Sequence, residues 1–200
     1  LIPRFYDATD GEVFVDGINV KDYKFDTLYD KLGYVTQKAV LFAGSIRENV
    51  FFGESSAPET DDELKNAIEL SQAEEFVDKL PDGTEHMISQ MGRNVSGGQK
   101  QRLSIARALS RKPEILVFDD SFSALDYKTD AKLREGLNEK LKDTTKIIVA
   151  QRISTIRHAD KIIVLDRGEA VGMGTHEELM KNCDVYKEIA LSQLSAAELA

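Results

Sequence analysis

The chain has 200 residues and a formal net charge of −9, and 42% of its residues are hydrophobic. That length suits one sizeable domain or a core with a subdomain, and the acidic balance argues against a nucleic-acid partner. The lone cysteine, Cys183, cannot form an internal disulfide, which fits a reducing compartment. No apolar run approaches the roughly 18 residues that span a bilayer, and charge comes too early for a signal peptide. A membrane role is therefore expected to need segments or partners outside this sequence.

Apolar periodicity and turn residues predict strands that alternate with helices, so we expect an α/β architecture with a mainly parallel sheet. In the first half, the expected elements are the tail of a helix over 1–7, a hairpin over 12–20, a helix over 25–31, a strand over 32–37, a helix over 45–51, one or two helices over 61–79 and a loop over 84–93. In the second half they are a strand over 115–118, a helix over 128–141, a strand over 146–151, a short helix over 154–158, a hairpin over 161–174, and helices over 177–182 and 185–194.

Residues 94–109 read NVSGGQKQRLSIARAL and predict a glycine turn that opens a helix. Ser96 is a good N-cap because its hydroxyl can accept a bond from an amide of the first turn. Gly97 and Gly98 leave backbone N–H groups unshielded, so these amides and the helix dipole together make an anion site. Taken alone, SGG is more often a simple helix cap.

Residues 114–126 read EILVFDDSFSALD and predict a buried strand that ends in acid. Its continuous apolar run is typical of a parallel strand that is covered on both faces. Asp119 and Asp120 follow at the carboxyl end, where open α/β sheets bind ligands. One carboxylate there can hold Mg²⁺, and the other can face an attacking water. A lone acid pair would more often be only a strand-to-turn connection.

Together with SALD at 123–126, these stretches closely resemble the nucleotide-binding domain of ATP-binding-cassette (ABC) transporters of the exporter branch. SGGQ matches the family signature, ILVFDD matches Walker B and SALD matches the D-loop, and the likeness runs from about residue 1 to about residue 193. The resemblance implies a single, partial domain over 1–200 with a P-loop NTPase (RecA-like) core of mainly parallel sheet and a small antiparallel β portion. That core is expected over 1–43 and 112–200 with C-terminal helices, and an α-helical subdomain over 44–111 carries the signature.

The resemblance also implies roles for individual residues. Asp119 is expected to hold Mg²⁺, and Gln37, in the family's Q-loop, is expected to contact a metal-bound water and a phosphate oxygen of ATP. The signature residues are expected to cap the γ-phosphate of ATP held by a facing domain in a head-to-tail dimer; they are Ser96, Gly97, Gly98 and Gln99. Asp126 closes the D-loop at the dimer interface. Val40, Leu41 and Phe42 are candidate contacts with a membrane domain, although a small apolar cluster could equally be core.

Two catalytic positions depart from the family pattern. Asp120 falls where the family usually has glutamate, and Gln151 falls where it usually has the switch histidine. A displacement of about 1 Å can cost about 10²-fold in a positioned reaction, and glutamine cannot shuttle a proton as histidine does. A third departure replaces an acid with Gln90 before the signature. This combination resembles the degenerate subunit of heterodimeric exporters, which keeps an intact signature for its partner. The alternative is that the two catalytic positions changed by neutral drift.

No segment matches the phosphate-loop pattern G-x-x-x-x-G-K-[ST]. In the family this loop precedes a helix whose end matches residues 1–6, so the chain is expected to begin just past it. That loop supplies most of the grip on the triphosphate. We therefore expect negligible ATP binding and no activity from this chain alone, and a sheet that lacks a strand.

The leading hypothesis is the hydrolysis-impaired ATP-binding domain of a heterodimeric ABC exporter, at the cytoplasmic face of the cell membrane. Its expected cofactors are ATP and Mg²⁺, and its expected partners are a second nucleotide-binding domain and a transmembrane domain, with no nucleic acid. The alternative is a catalytically silent interaction fragment that only donates its signature or docks to a partner. A soluble ABC ATPase of repair or translation is disfavoured by the acidic charge and by the exporter-like segments over 5–17 and 41–53.

Overall fold

The computed structural model describes residues 1–193, and the contacts between Cα atoms divide the chain into two units. The first unit is Leu1–Ile147 and the second begins at Ile148. The first unit contains, in chain order, β1 (Phe14–Val15), β2 (Ile18–Asn19), α1 (Phe25–Lys31), β3 (Leu32–Val35), β4 (Gly44–Ser45), α2 (Ile46–Val50), α3 (Asp61–Leu70), α4 (Glu74–Val77), β5 (Met87–Ile88), α5 (Gly97–Ser110), β6 (Ile115–Asp119) and α6 (Tyr127–Lys140). Strand β7 (Thr145–Val149) crosses the boundary between the units.

The sheet that positions the candidate site has the strand order β3-β6-β7. Strands β3 and β6 are parallel, with Tyr34 paired to Val117 and Val35 paired to Phe118. Val35, Leu116 and Phe118 are fully buried, which explains why β6 reads as an unbroken apolar run. Because the two strands are parallel, their carboxyl ends meet at one edge of the sheet, and the polar residues that follow them meet there too.

Short antiparallel pairs lie outside this sheet. Strands β1 and β2 form the predicted hairpin, and its turn residues Asp16 and Gly17 both have positive φ, at 50° and 76°, as a tight hairpin turn requires. Strand β4 pairs with β5, with Gly44 opposite Ile88. The prediction of a loop over 84–93 missed this pair, because two-residue strands are too short to show an alternating pattern.

The helices between residues 44 and 111 pack around α5, which contacts both α2 and α3. Helix α5 begins with a reciprocal capping box, in which the Ser96 hydroxyl accepts from the Gln99 N–H at 3.3 Å and Gln99 Oε1 accepts from the Ser96 N–H at 2.8 Å. The predicted N-cap is confirmed, as is the capping box formed by Ser45 and Glu48 at the start of α2. That these helices form a subdomain of a single domain stays a prediction.

The expected helix tail over 1–7 is wrong. These residues form turns, and Arg4 has the left-handed φ of 55°. Its guanidinium donates to the carbonyls of Val20 and Lys21, both at 3.2 Å, and also to Asp7 at 3.1 Å. The side chain thus ties the segment to the hairpin by contacts that the local sequence pattern does not reveal.

The second unit continues with α7 (Ile153–Ile156), β8 (Ile162–Asp166), β9 (Glu169–Gly174), α8 (His176–Asn182) and α9 (Asp184–Gln193). Strands β8 and β9 form the predicted hairpin around Arg167 and Gly168. One face of this hairpin packs on α8 and α9 around the buried Val164, Leu179 and Tyr186. The last helix was predicted to reach Leu194, which lies outside the described residues. Across residues 1–193, no helix is both long and apolar enough to cross a membrane.

Candidate functional site

Two acids lie at the carboxyl end of β6. Asp119 is the last residue of the strand, and Asp120 follows it with a φ of 45°. A non-glycine residue at positive φ is uncommon, although aspartate tolerates it better than most residues do. The hydroxyl of Ser123 donates to the backbone carbonyl of Asp120 at 2.7 Å and stabilises this turn. The turn gives the two neighbouring carboxylates different hydrogen-bond partners.

Gln37, two residues beyond the end of β3, contacts the second acid. Its Nε2 donates to Asp120 Oδ2 at 3.1 Å. Since a carboxylate only accepts hydrogen bonds, the amide nitrogen must face Asp120, and Oε1 is the amide atom left to approach a metal or a metal-bound water. The structure thus brings together two residues that the sequence singled out separately.

Tyr34, which the sequence pattern did not single out, contacts the first acid. Its hydroxyl donates to Asp119 Oδ2 at 3.0 Å. Burial, and then this hydrogen bond, raise the pKa of the Tyr34 phenol. The available signal was the strand register: a tyrosine paired to Val117 lies on the same face of the sheet as Asp119, two residues along β6.

The donor atoms at this edge of the sheet are carboxylate and amide oxygens, which are the hard ligands that Mg²⁺ prefers. Within the part of the chain that the structure describes, no three His, Cys, Asp or Glu side chains cluster closely enough to hold a metal ion. Mg²⁺ is commonly held by one or two carboxylates, with waters and substrate phosphates completing the shell. The set of Asp119, Asp120 and Gln37 fits a metal that arrives with a phosphate ligand.

The signature residues lie at the N-terminus of α5. A Cβ added to Gly97 would meet nothing within 4 Å, so its backbone is open to a ligand, whereas one on Gly98 would lie 3.5 Å from the carbonyl oxygen of Ala124. The structure thus places the signature beside the SALD segment. In the capping box Ser96 acts as an acceptor, so its hydroxyl proton can still be donated to an anion.

Asp126, the last residue of SALD, caps helix α6. Its Oδ1 accepts from the backbone N–H groups of Lys128 and Thr129, at 3.1 and 3.0 Å, and its Oδ2 accepts from the Thr129 hydroxyl at 2.7 Å. These bonds lower the pKa of the Asp126 carboxyl, and the Thr129 N–H is the largest cause. The side chain thus fixes the first turn of α6.

Gln151 belongs to the second unit, where it follows β7 and is exposed. Its backbone carbonyl accepts from Gln193 Nε2 at 2.8 Å, and Gln193 Oε1 accepts from the N–H of Ile153 at 3.0 Å. The C-terminal helix α9 therefore fixes the backbone on both sides of Arg152. Gln90, the third departure from the family pattern, is exposed in a single 3₁₀ turn over Gln90–Gly92.

An aromatic surface lies near α5, formed by the stacked rings of Phe42 and Phe52 with centroids 4.1 Å apart. Arg107 of α5 lies 5.5 and 5.4 Å from the two ring centroids and donates to the backbone carbonyls of Asn49 and Val40. Burial lowers the pKa of Arg107 to about 10. Phe42, Phe52 and Val40 are exposed, whereas Leu41 is buried and belongs to the core.

A cavity of about 290 Å³ adjoins this aromatic surface. Phe52, Arg107 and Arg111 form part of its wall, and Phe5, Tyr29 and Tyr34 form much of the rest. Aromatic rings beside two arginines suit an apolar segment that also carries an acceptor or a carboxylate.

Helix α5 also contacts the segment that carries Gln37. The fully buried Gln101 donates from Nε2 to the carbonyl of Thr36 at 3.2 Å. The sequence pattern does not single out Gln101, because a polar residue inside a helix gives no sign of a hydrogen-bond partner far along the chain.

Comparisons with known proteins identify the family and the fold. The family model described as ABC transporter matches residues 1–123. An uncharacterized ABC transporter ATP-binding protein of Mycobacterium tuberculosis is 46% identical over 200 residues, which is 98% of this chain and 34% of that protein. A putative multidrug export ATP-binding/permease protein of Staphylococcus aureus is 42% identical over 189 residues, 94% of this chain and 32% of that protein.

Among solved structures, a bacterial Atm1-family ABC exporter with ATP bound superposes with a TM-score of 0.90 and 34% identity, over 96% of this chain and 33% of that one. The chain thus spans about a third of the length of these relatives. The fold is that of an ABC ATPase with a P-loop NTPase core, as predicted. The chain belongs to the ABC transporter family.

Proposed function

We propose that this chain is the ATP-binding part of an ABC-type exporter and binds MgATP at a head-to-tail interface with a second nucleotide-binding domain. The observation that carries the proposal is the hydrogen bond from Gln37 to Asp120, beside Asp119, at the edge of the sheet where α/β folds bind ligands. The likeness to an exporter with ATP bound supports it.

The residues at the strand ends suit phosphoryl transfer to water. A bound Mg²⁺ would supply positive charge that offsets the charge developing on the transferred phosphate. Asp119 would hold the metal, directly or through water, and Gln37 would offer Oε1 because its Nε2 is committed to Asp120. Asp120 would orient the attacking water or accept its proton. The amides at the start of α5 and the Ser96 hydroxyl would bind the γ-phosphate held by the facing domain.

Two positions favour an impaired site on this chain. Asp120 is one methylene shorter than the family's usual glutamate, and Gln151 replaces the usual histidine. The signature, in contrast, is intact in sequence, with Ser96 capping α5 and the backbone of Gly97 left open. We therefore propose a heterodimer in which this chain binds ATP, hydrolyses it poorly and supplies the signature to a more active partner.

The second proposed partner is a transmembrane domain. The exposed Val40, Phe42 and Phe52, together with the adjoining cavity, form an apolar surface to which such a domain would dock. Docking there would place the chain at the cytoplasmic face of the cell membrane, and the multidrug-export name of the S. aureus relative supports a role in export.

The test is ATP hydrolysis by the full heterodimeric exporter, with the partner's own catalytic carboxylate removed so that turnover reports on this chain's site, and with Asp120→Glu and Gln151→His introduced together. We expect turnover to rise by up to about 100-fold, because the longer carboxylate reaches the water and the histidine can be cationic. Asp143→Glu, the same change at an exposed turn after α6, is the matched control and should leave turnover unchanged. An unchanged rate in the double variant would rule out these two positions as the cause of impaired hydrolysis.

A further inference from the structure

Tyr34 contacts the candidate metal-binding acid from the neighbouring strand. The residue belongs to β3 and pairs with Val117 of β6, so its side chain lies on the face that Asp119 also occupies. Its hydroxyl donates to Asp119 Oδ2 at 3.0 Å. The contact therefore joins two adjacent parallel strands at the edge where the ligand is proposed to bind.

The tyrosine ring is held in place from its other side. The ring of Phe5 meets it edge to face, with centroids 5.5 Å apart and an interplanar angle of 88°. The segment that carries Phe5 is itself fixed by Arg4, which donates to the carbonyls of Val20 and Lys21. The hydroxyl is thus presented to Asp119 by a ring with restricted freedom, and not by a mobile side chain.

We propose that Tyr34 is a positioning residue that sets the orientation of Asp119 for the metal of MgATP; this inference rests on the function proposed above. The terminal torsion of an aspartate is broad, so an isolated carboxylate samples many orientations. One hydrogen bond to Oδ2 narrows that range while it leaves Oδ1 and the second lone pair of Oδ2 for the metal or its waters. Hydrogen-bond partners of metal ligands commonly contribute about 10- to 100-fold to metal affinity.

The experiment uses the full transporter, with the partner domain's own metal-binding aspartate changed to asparagine so that metal binding reports on this site. Tyr34→Phe removes the hydroxyl and keeps the ring contact with Phe5. The Kd of Mn²⁺ is measured by electron paramagnetic resonance in saturating ATP, and the Kd of ATP is measured separately in EDTA. We expect the Kd of Mn²⁺ to rise about 10-fold and the metal-free Kd of ATP to stay the same, a split that a general loss of packing would not produce.

Tyr23→Phe is the matched control, because it also removes a tyrosine hydrogen bond, to the Val15 carbonyl at 3.2 Å, at a place that does not touch either acid of the site. It should leave both constants unchanged. Equal Kd values for Mn²⁺ in Tyr34→Phe and the parent, with ATP binding intact, would overturn the positioning role while the proposed function stands. Failure of the parent transporter itself to bind ATP at this site would overturn the proposed function instead.

Discussion

The backbone conformation and hydrogen bond of Asp120 fit an aspartate side chain. Asp120 has a left-handed φ and accepts a hydrogen bond from Gln37, and both features suit a short acidic side chain. Glutamate tolerates that backbone region less well than aspartate does. The Asp120→Glu change should therefore bring the carboxylate closer to the proposed position of the attacking water, at some cost in the stability of the fold. The turnover of this variant is therefore best measured well below its melting temperature.

A partly buried histidine in the second unit predicts that the stability of the fold depends on pH. His176 is partly buried and its Nδ1 lies 2.7 Å from the hydroxyl of the buried Tyr186. Burial is the largest cause that lowers the pKa of His176, Arg157 and His158 lower it further, and Glu177 opposes them. The folded state thus favours neutral histidine. Its contribution to stability is complete above the ordinary histidine pKa of about 6.5 and is lost as pH falls below it.

Urea unfolding followed by circular dichroism at about pH 7.5 and about pH 5.5 tests this dependence. The free energy of unfolding should be lower at the acidic pH, and His176→Asn should reduce the difference. His86→Gln, in the first unit, serves as the control and should not alter it. An identical pH difference with and without His176 would contradict the prediction.

At the scale of elements, two glycines predict opposite outcomes. A Cβ added to Gly33 in β3 would lie 2.7 Å from Leu116 Cδ2, 2.8 Å from Pro113 Cγ and 3.0 Å from the Ala108 carbonyl oxygen. Gly33→Ala should therefore push α5 and β6 away from β3 and destabilise the fold by about 1–3 kcal/mol. The measurement is the free energy of unfolding in denaturant.

Gly136→Ala in α6 is the matched control. Its added Cβ would meet only the flexible end of Leu70, at 2.9 Å, and alanine gains about 1 kcal/mol in helix propensity over glycine. The two terms nearly offset each other, so this variant should be close to neutral. Equal destabilisation by both glycine variants would contradict the argument that tight packing makes Gly33 the more sensitive position.

Elements set by local chemistry could be predicted from the sequence, and those set by distant contacts could not. The capping box at Ser45 and the hairpin turn at Asp16 and Gly17 depend on residues within four positions, and both are confirmed. The β4–β5 pair and the turns around Arg4 depend on partners far along the chain, and both were missed. At the site, the acids follow from the strand pattern, but the donor from Tyr34 needs the register of two strands.

At the scale of the whole molecule, the 200-residue chain contains no G-x-x-x-x-G-K-[ST] segment to grip a triphosphate. We expect the chain alone to show no saturable binding of a fluorescent ATP analogue at about micromolar concentration, because the roles proposed for Asp119 and Gln37 need a metal that the phosphates bring. The full transporter is the positive control. Saturation by the chain alone would show that the strand-end residues suffice for binding.

Helix α5 connects three parts of the first unit. Its first turn carries the signature, Gln101 bonds the segment next to Gln37, and Arg107 lies under the aromatic surface, about 15 Å along the axis from Gly97. A helix is a rigid element that can carry coupling between distant groups. If a membrane domain docks on the aromatic pair as proposed, a displacement of α5 there would reach the signature and the segment next to Gln37 together, through one helix.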